Sequence, residues 1–233
     1  VERPRSLVPR RRVREIDERI LGDGRVLRPI QRTEVELAAR DLVSQGIDAM
    51  AICFLHSYRN PEHELAAKEW VQEGYPDLYV CTSTEIWPQQ REYERFLISV
   101  INAYVGQQCR SYLQSMDREI EALGVACRVF STKSNGGVMG ARRAAQRPVE
   151  SLLSGPASGV IGSAYLGNLI GDNKIVALDM GGTSVDISVI DGEISYSTEN
   201  TVGEYPVIMP AVDVSSIGAG GGSIAWLDSE GVL

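Results

Sequence analysis

Hydrophobic and polar positions along the chain predict a mixed α/β protein. The apolar run Ala49–Leu55 predicts a buried strand, Pro61 marks the start of a helix that runs to about Gly74, and Leu78–Cys81 predicts another strand. In this strand–helix–strand order, we expect the two strands to pair in parallel through a right-handed crossover.

Two longer helical patterns follow. One helix opens within Thr84–Arg95 and continues to about Leu123, and Gly106 is a candidate kink within it. Its first turns carry charges at ion-pair spacing, at Arg91, Glu92, Glu94 and Arg95. A second helix, rich in alanine and glycine, ends near Leu169. We expect three of its glycines to let it pack closely on a sheet: Gly155, Gly159 and Gly162.

The stretch Lys174–Asp191 predicts a β-hairpin. Its first strand is the apolar run Ile175–Leu178, which suits a buried strand, and the turn contains Gly181 and Gly182. Asp179 and Asp186 flank this turn, and Thr183 and Ser184 add hydroxyls. Backbone N–H groups at such a tip suit phosphate oxygens, and carboxylates suit Mg²⁺. An ordinary glycine turn is the alternative, but it does not require the two acids.

Three further places are candidates for ligand contacts. His56 follows the carboxyl end of a predicted strand, where ligands bind in such sheets, although a hydrogen bond that closes the loop explains it equally well. The loop that contains Asn135 and Gly136 is small, polar and able to wrap a ligand. Gly220, Gly221 and Gly222 belong to a loop that either binds phosphate or packs closely as a glycine turn.

Composition narrows the function classes. The 233-residue chain carries a formal net charge of −8, which disfavours nucleic acid as a partner. No apolar run reaches the roughly 20 residues that span a membrane, and no signal peptide is visible. The four cysteines form no C-x-x-C pair, which is typical of reduced thiols in a cytoplasmic protein. Only two histidines are present, so no histidine metal cluster can form, and we expect His63 on a solvated helix face.

Several glycine-rich segments together resemble known families. The run D-M-G-G-T-S-V-D at Asp179–Asp186 resembles the second phosphate loop of the sugar kinase/Hsp70/actin ATPase superfamily. Four other segments resemble the hydantoinase A/5-oxoprolinase family: Gln90–Arg95 (Q-R-E-Y-E-R), Ser134–Gly137 (S-N-G-G), Leu152–Gly162 (L-L-S-G-P-A-S-G-V-I-G) and Ser216–Trp226 (S-I-G-A-G-G-G-S-I-A-W). The combination is specific, whereas each glycine motif alone is weak.

This resemblance implies a fold and a domain division. The expected fold is α/β, an actin/Hsp70/sugar kinase-like (ribonuclease H-like) two-lobed ATPase fold, of which the chain is a part. Residues 1–30 would be an extended lead-in, residues 31–170 the rear of the first lobe with its connecting helix, and residues 171–233 the front of the second lobe. The family carries a first phosphate loop of the type D-x-G-G-T-x-T, and no such sequence precedes Asp179. We therefore expect a fragment that holds half of the nucleotide site and is inactive by itself.

The implied function is ATP-dependent hydrolysis of a cyclic amide, of the hydantoinase/5-oxoprolinase type, with Mg²⁺ and a hydantoinase B-like partner. Asp179 and Asp186 would be the catalytic and metal-binding acids. The nucleotide would contact the glycine loops and two hydroxyls: Gly181, Gly182, Thr183, Ser184, Gly220, Gly221 and Gly222. The substrate would contact His56, Arg91, Asn135 and Gly136. The alternatives are a carboxylase subunit of the acetone or acetophenone type, a non-enzymatic actin-like nucleotide switch, and a partner-binding subunit without catalysis.

Overall fold

Helices and strands are interspersed as far as α6, and only strands follow it, in a computed structural model that describes residues 6–227. The helices are α1 (Arg32–Ser44), α2 (Glu62–Gly74), α3 (Ser83–Ile86), α4 (Glu92–Ala122), α5 (Ala141–Gln146) and α6 (Ser154–Ile170). The strands are β1 (Arg19–Ile20), β2 (Val26–Arg28), β3 (Ala49–Ile52), β4 (Tyr79–Thr82), β5 (Phe130–Thr132), β6 (Val138–Gly140), β7 (Lys174–Met180), β8 (Val185–Asp191), β9 (Glu193–Ile194), β10 (Tyr196–Ser197), β11 (Asn200–Val202), β12 (Tyr205–Val207), β13 (Ala211–Val212) and β14 (Ser215–Ile217). Within residues 6–227, no helix is both long and apolar enough to cross a membrane.

These elements divide into two units. The first contains the chain up to Ser131 together with Met139–Val149 and Glu199–Ile208. The second contains Thr132–Val138, Glu150–Thr198 and the chain from Met209 onward, so α6 lies in the same unit as the β7–β8 hairpin. The predicted assignment of residues 31–170 and 171–233 to two ATPase lobes stays a prediction. Residues 1–5 of the predicted lead-in and 228–233 of the last segment lie outside the described residues.

A parallel strand pair organises the first unit. β3 and β4 run in parallel with Ala49 opposite Tyr79, which confirms the predicted parallel pairing, and α2 lies between them in the chain. The right-handedness of this crossover stays a prediction. One face of this pair packs with α1 and α2 in a core of Val35, Ala39, Ile52, Ala67, Val71, Leu78 and Val80. Burial of the valine, isoleucine and leucine side chains among them stabilises the unit by roughly 1.5–3 kcal/mol each.

The long helix predicted from Thr84 is in fact two helices. Thr82 caps the short α3 by accepting a hydrogen bond from the N–H of Glu85, whose carboxylate in turn accepts from the N–H of Thr82. Pro88 then breaks the helix, because it lacks an N–H donor and disfavours a helical conformation in the residue before it. α4 begins at Glu92 and passes through Gly106 to Ala122.

The glycine at position 106 serves close packing, since α4 continues through it. A Cβ atom there would lie 2.3 Å from Cε1 of the Tyr79 ring, so only glycine lets β4 approach α4 at this point.

In the second unit, β14, β8 and β7 form an antiparallel sheet in that order, and β9 also pairs with β8. α6 packs on one face of this sheet through a core of Ala157, Val160, Ile190 and Val212. The other face is open, because Val176 is 65% exposed and Leu178 is 57% exposed. The prediction that Ile175–Leu178 forms a buried strand is therefore wrong, since only alternate side chains reach the core.

The close contact between α6 and the sheet is made by Gly167. A Cβ atom at this position would lie 2.1 Å from Cδ1 of Ile175 and 2.6 Å from the backbone oxygen of Asp172. The glycines predicted to make this contact do not make it, because a Cβ atom on Gly155, Gly159 or Gly162 would meet nothing within 4 Å in the described structure.

Replacing Gly167 with alanine should therefore destabilise the protein, whereas the same change in Gly162 should not. We expect Gly167→Ala to lower the free energy of unfolding by about 1–3 kcal/mol through overpacking. Gly162→Ala should raise it by up to about 1 kcal/mol, because alanine favours helix. Urea unfolding of both variants measures this difference, and equal effects of the two substitutions would contradict the packing assigned to Gly167.

Candidate functional site

The tip of the β7–β8 hairpin is a tight turn over Gly181–Ser184. The strands pair in register up to Met180 and Val185, and the N–H of Gly181 then donates to the carbonyl oxygen of Ser184 at 2.9 Å. Because this register also places Asp179 opposite Asp186, both acids stand next to the turn.

A glycine loop lies directly on this tip. It follows β14, and the N–H groups of Gly221 and Gly222 donate to the carbonyl oxygens of Gly181 and Gly182 at 2.9 and 3.1 Å. A Cβ atom on Gly220 would lie 2.6 Å from the Gly181 oxygen. Close packing therefore requires glycine at 220, as one of the two sequence interpretations had it, and the predicted phosphate-binding residues come together at one place.

Gly182 is different, because nothing around it in the protein requires a glycine. Its φ lies outside the left-handed region, and an added Cβ would meet no atom within 4 Å. Among residues 6–227, the N–H groups of Gly182 and Thr183 have no hydrogen-bond acceptor. The tip therefore presents two free donors beside a residue without a side chain, which suits the close approach of an anionic ligand.

Three residues on adjacent strands line up beside the tip. Asp179 on β7 faces Asp186 on β8, which faces Ser216 on β14, and the Ser216 hydroxyl donates to Oδ1 of Asp186. Asp179 is exposed and Asp186 is half-buried. Two like charges directly opposite each other on a sheet repel, so this arrangement favours a bound cation.

The donor set here fits Mg²⁺, which takes oxygen ligands and is commonly held by one or two carboxylates together with phosphates and water. In the described part of the chain, no group of three or more histidine, cysteine or acidic side chains is placed to hold a metal. Asp179 and Asp186 could supply two carboxylates of a magnesium site whose other ligands come from the nucleotide and from water.

Ser216 was missed in the sequence, although the stretch that contains it was singled out. Ser215 and Ser216 are adjacent, and only the strand register shows which of them faces Asp186. Ser215 lies opposite Ile187, on the other face of the sheet. The sequence does predict that successive side chains of β14 point to opposite faces of the sheet, but it does not show which of them share a face with Asp186 of β8.

A second candidate region is the corner in the first unit where His56 meets the start of α4. His56 (φ +57°) and Arg91 (φ +80°) are the non-glycine residues with left-handed backbone in the described chain. Nδ1 of His56 is buried, lacks a hydrogen-bond partner among these residues and lies 3.8 Å from Oε1 of Glu92. Strained backbone of this kind clusters at ligand sites.

The Arg91 side chain is 71% exposed and pairs with Glu94 at 2.7 Å, which confirms the predicted ion pair at i,i+3 spacing. Its role in substrate binding stays a prediction.

A fully buried polar network supports this corner. The side chains of Arg95 and Glu64 are 0% exposed, and Nη1 of Arg95 lies 3.5 Å from Oε1 of Glu64. Arg95 also donates to the carbonyl oxygen of Phe54, and Glu64 accepts from the Phe54 N–H, each at 2.8 Å. The hydroxyls of Ser57 and Ser83 complete the network. It thus fixes the loop that carries His56 to α2, α3 and α4.

The remaining sequence candidates have structural partners of their own. In the second unit, Oδ1 of Asn135 accepts from the Gly137 N–H at 3.1 Å. Gly136 (φ +78°) is a packing glycine, because an added Cβ would lie 1.9 Å from Cδ1 of Ile161. Their predicted role in substrate binding stays a prediction, as does that of His56.

The expectation that His63 lies on a solvated helix face is wrong. It is 4% exposed, and its Nδ1 lies 2.7 Å from Oε2 of Glu18.

Comparison of the sequence with protein-family profiles identifies the family of this chain. A family profile described as Hydantoinase/oxoprolinase matches residues 95–233, and one described as Hydantoinase/oxoprolinase N-terminal region matches residues 2–75. The chain belongs to the hydantoinase/oxoprolinase family. The family prediction made from the glycine motifs is therefore confirmed.

Solved structures of relatives share the fold. The crystal structure of the ATP-dependent caprolactamase from Pseudomonas jessenii matches with a TM-score of 0.83 and 34% identity, over 99% of this chain and 33% of that one. A nucleotide-free structure of acetone carboxylase matches with a TM-score of 0.85 and 29% identity, over 98% of this chain and 33% of that one. The predicted α/β fold of the actin/Hsp70/sugar kinase type is confirmed.

A more distant relative is 5-oxoprolinase 1 of Arabidopsis thaliana. It is 29% identical over 85% of this chain and 16% of its own length. Across the structures and this relative, the chain spans a third or less of the proteins that it matches. Relatives in this family are ATP-dependent enzymes, by the names of the solved structures.

Breaking the buried network should strongly destabilise the protein. Glu64→Gln removes the buried counter-charge of the Arg95 guanidinium and leaves only the half-buried Glu92, 4.0 Å away, so we expect a loss of about 3–5 kcal/mol in the free energy of unfolding. Glu69→Gln is the matched control, because Glu69 is an exposed residue of the same helix; it should change this free energy by less than about 0.5 kcal/mol. Guanidinium unfolding compares the two variants, and a similarly small effect of both would show that the pair does not hold the corner together.

Proposed function

We propose that this chain contributes the second phosphate-binding loop and part of the substrate site to an enzyme that opens a cyclic amide with ATP. The observation that supports this proposal most directly is the hairpin tip, where free N–H groups lie beside two acids that face each other on adjacent strands. Relatives named caprolactamase and 5-oxoprolinase support a lactam as the substrate class.

The chemistry explains why such an enzyme needs a phosphate site. An unactivated lactam is a poor electrophile, and transfer of the γ-phosphoryl group of ATP to its carbonyl oxygen activates the carbon for attack by water. The ring C–N bond then breaks as the nitrogen takes up a proton, which leaves an acyl phosphate. A second water hydrolyses this acyl phosphate to the carboxylate and free phosphate. Such transfer depends on positioning and charge neutralisation rather than on covalent participation of the protein.

The chain's own residues have separable roles in this proposal. The N–H groups of Gly182 and Thr183 donate to phosphate oxygens, and the Ser184 hydroxyl borders them. Asp179 and Asp186 hold Mg²⁺, which offsets the charge of the phosphates. His56, Arg91, Asn135 and Gly136 are the proposed substrate contacts.

Further polypeptide completes the enzyme. Relatives are named caprolactamase subunit alpha, acetone carboxylase beta subunit and acetophenone carboxylase gamma subunit, which supports a hydantoinase B-like partner subunit. Because two of these relatives are carboxylase subunits, a carboxylase of the acetone or acetophenone type is the alternative function. A carboxylase would require bicarbonate for ATP turnover and a lactam hydrolase would not, so this requirement distinguishes the two.

Asp179→Asn in the complete enzyme tests the site assignment. We expect a loss of about 10²–10³ in kcat for lactam-stimulated ATP hydrolysis, because the neutral amide removes one preorganised charge. The fold should be unaffected, because Asp179 is exposed. Asp191→Asn, at the far end of the same hairpin and opposite Lys174, should keep both turnover and melting temperature. Near-normal turnover of Asp179→Asn would overturn the assignment.

Ser216 is a positioning residue in this proposal, since its hydroxyl fixes the Asp186 carboxylate. A hydrogen bond to a charged group contributes about 1.5–3 kcal/mol, so Ser216→Ala should raise the Mg²⁺ concentration for half-maximal ATP hydrolysis roughly 10- to 100-fold. Ser216→Thr should restore it. Ser215→Ala, which lies on the opposite face, should leave this concentration unchanged, and equal shifts in both alanine variants would rule out the positioning role.

A further inference from the structure

A basic groove crosses the first unit, away from the residues assigned to the nucleotide and the substrate. It lies between α2, β4, α3, α4 and α5 and has a volume of about 760 Å³. Five basic side chains line it: Lys68, Arg110, Arg118, Arg142 and Arg147. The acids in its lining are Glu85 and Asp117. The lining therefore carries an excess of three positive charges, in a chain whose formal net charge is −8.

Part of this positive charge is available to a ligand. Lys68 is neutralised by Glu85, with Nζ 2.6 Å from Oε1. Arg118 and Arg142, in contrast, are exposed and form no ion pair with any residue in the range 6–227. The Arg110 guanidinium is held over the Tyr79 ring, 5.5 Å from its centroid, and donates to the carbonyl oxygen of Asp77. These cations line one groove of an acidic protein, and the positive electrostatic potential that they create there attracts anionic groups.

The floor of the basic groove is largely apolar, and its polar side-chain atoms are hydrogen-bonded within the protein. It consists of Tyr79, Val80 and Cys81 of β4, which are 4%, 7% and 3% exposed. The Tyr79 hydroxyl donates to the carbonyl oxygen of Gln146 at 2.6 Å, and the Cys81 thiol donates to that of Ser99 at 3.5 Å. Burial raises the pKa of Tyr79, and it raises that of Cys81 to about 12, so neither group carries a negative charge at neutral pH.

The shape of the basic groove favours a polypeptide over a small molecule. Small-molecule sites enclose their ligand and direct a few polar groups at it, whereas this floor has its polar groups already bonded within the protein. Arg110 and Arg118 are eight residues apart on α4, which is about 12 Å along the helix. An extended peptide covers that distance with about four residues.

We propose that the basic groove binds an extended acidic segment of another polypeptide, with its carboxylates on the arginines. Relatives named as subunits support the presence of such a partner. The proposal does not rest on the nucleotide site, since it uses none of the residues assigned to it.

A fluorescein-labelled octapeptide of alternating glutamate and leucine is the probe. Its binding to the protein, measured by fluorescence anisotropy, should be saturable and should weaken with added salt. The matching lysine–leucine peptide should not bind. Absence of saturable binding by the acidic peptide would overturn the proposal.

Two double variants with the same change in net charge locate the binding. Arg118→Gln/Arg142→Gln removes two basic-groove charges without breaking an ion pair, so it should fold normally and raise Kd on the order of tenfold. Arg40→Gln/Arg128→Gln removes two exposed charges outside the groove and should leave Kd unchanged. Equal weakening by both would mean that binding is non-specific. Displacement of the peptide by pyrophosphate at concentrations below that of the peptide would instead identify a small-anion site and overturn the proposal.

Discussion

The register of three antiparallel strands is the constraint on which the candidate nucleotide site depends. Because Met180 pairs with Val185, Asp179 falls opposite Asp186, and the pairing of β14 with β8 brings Ser216 into the same row. A slip of one residue would turn a strand's side chains to the other face of the sheet. The packing of Ile175 and Ile190 in the α6 core fixes this register, so the site is held by burial several residues away from it.

Much of this fold follows from local pattern. The hairpin, the parallel pair β3–β4 and the approximate bounds of α2 and α6 follow from apolar periodicity and from proline and glycine placement. The glycine motifs also identified the family and the tip. These features are predictable because each depends on residues that are close together in the sequence.

The predictions from sequence fail where residues far away in the chain determine how a segment packs. The apolar run in β7 does not reveal whether other elements cover one face of the sheet or both, and Val176 is in fact exposed. Which glycine of α6 meets the sheet depends on the helix's rotation, and it is Gly167. The charges at the start of α4 suggested surface ion pairs, yet Arg95 is buried against Glu64, 31 residues earlier in the chain. No local pattern identifies such a pair.

The two candidate regions also differ in what they are made of. The hairpin tip offers backbone N–H groups and carboxylates, which recognise phosphate and its cation whatever the second substrate is. The corner at His56 and Arg91 is made of side chains on strained backbone, held by the buried Arg95–Glu64 network. Under the proposed function, substitutions there would change the preferred substrate without disturbing the phosphate loop. This separation is consistent with a family whose named members act on a lactam in one case and a ketone in another. Under the proposed function, the side chains of that corner, rather than the glycine motifs, would determine which substrate is preferred.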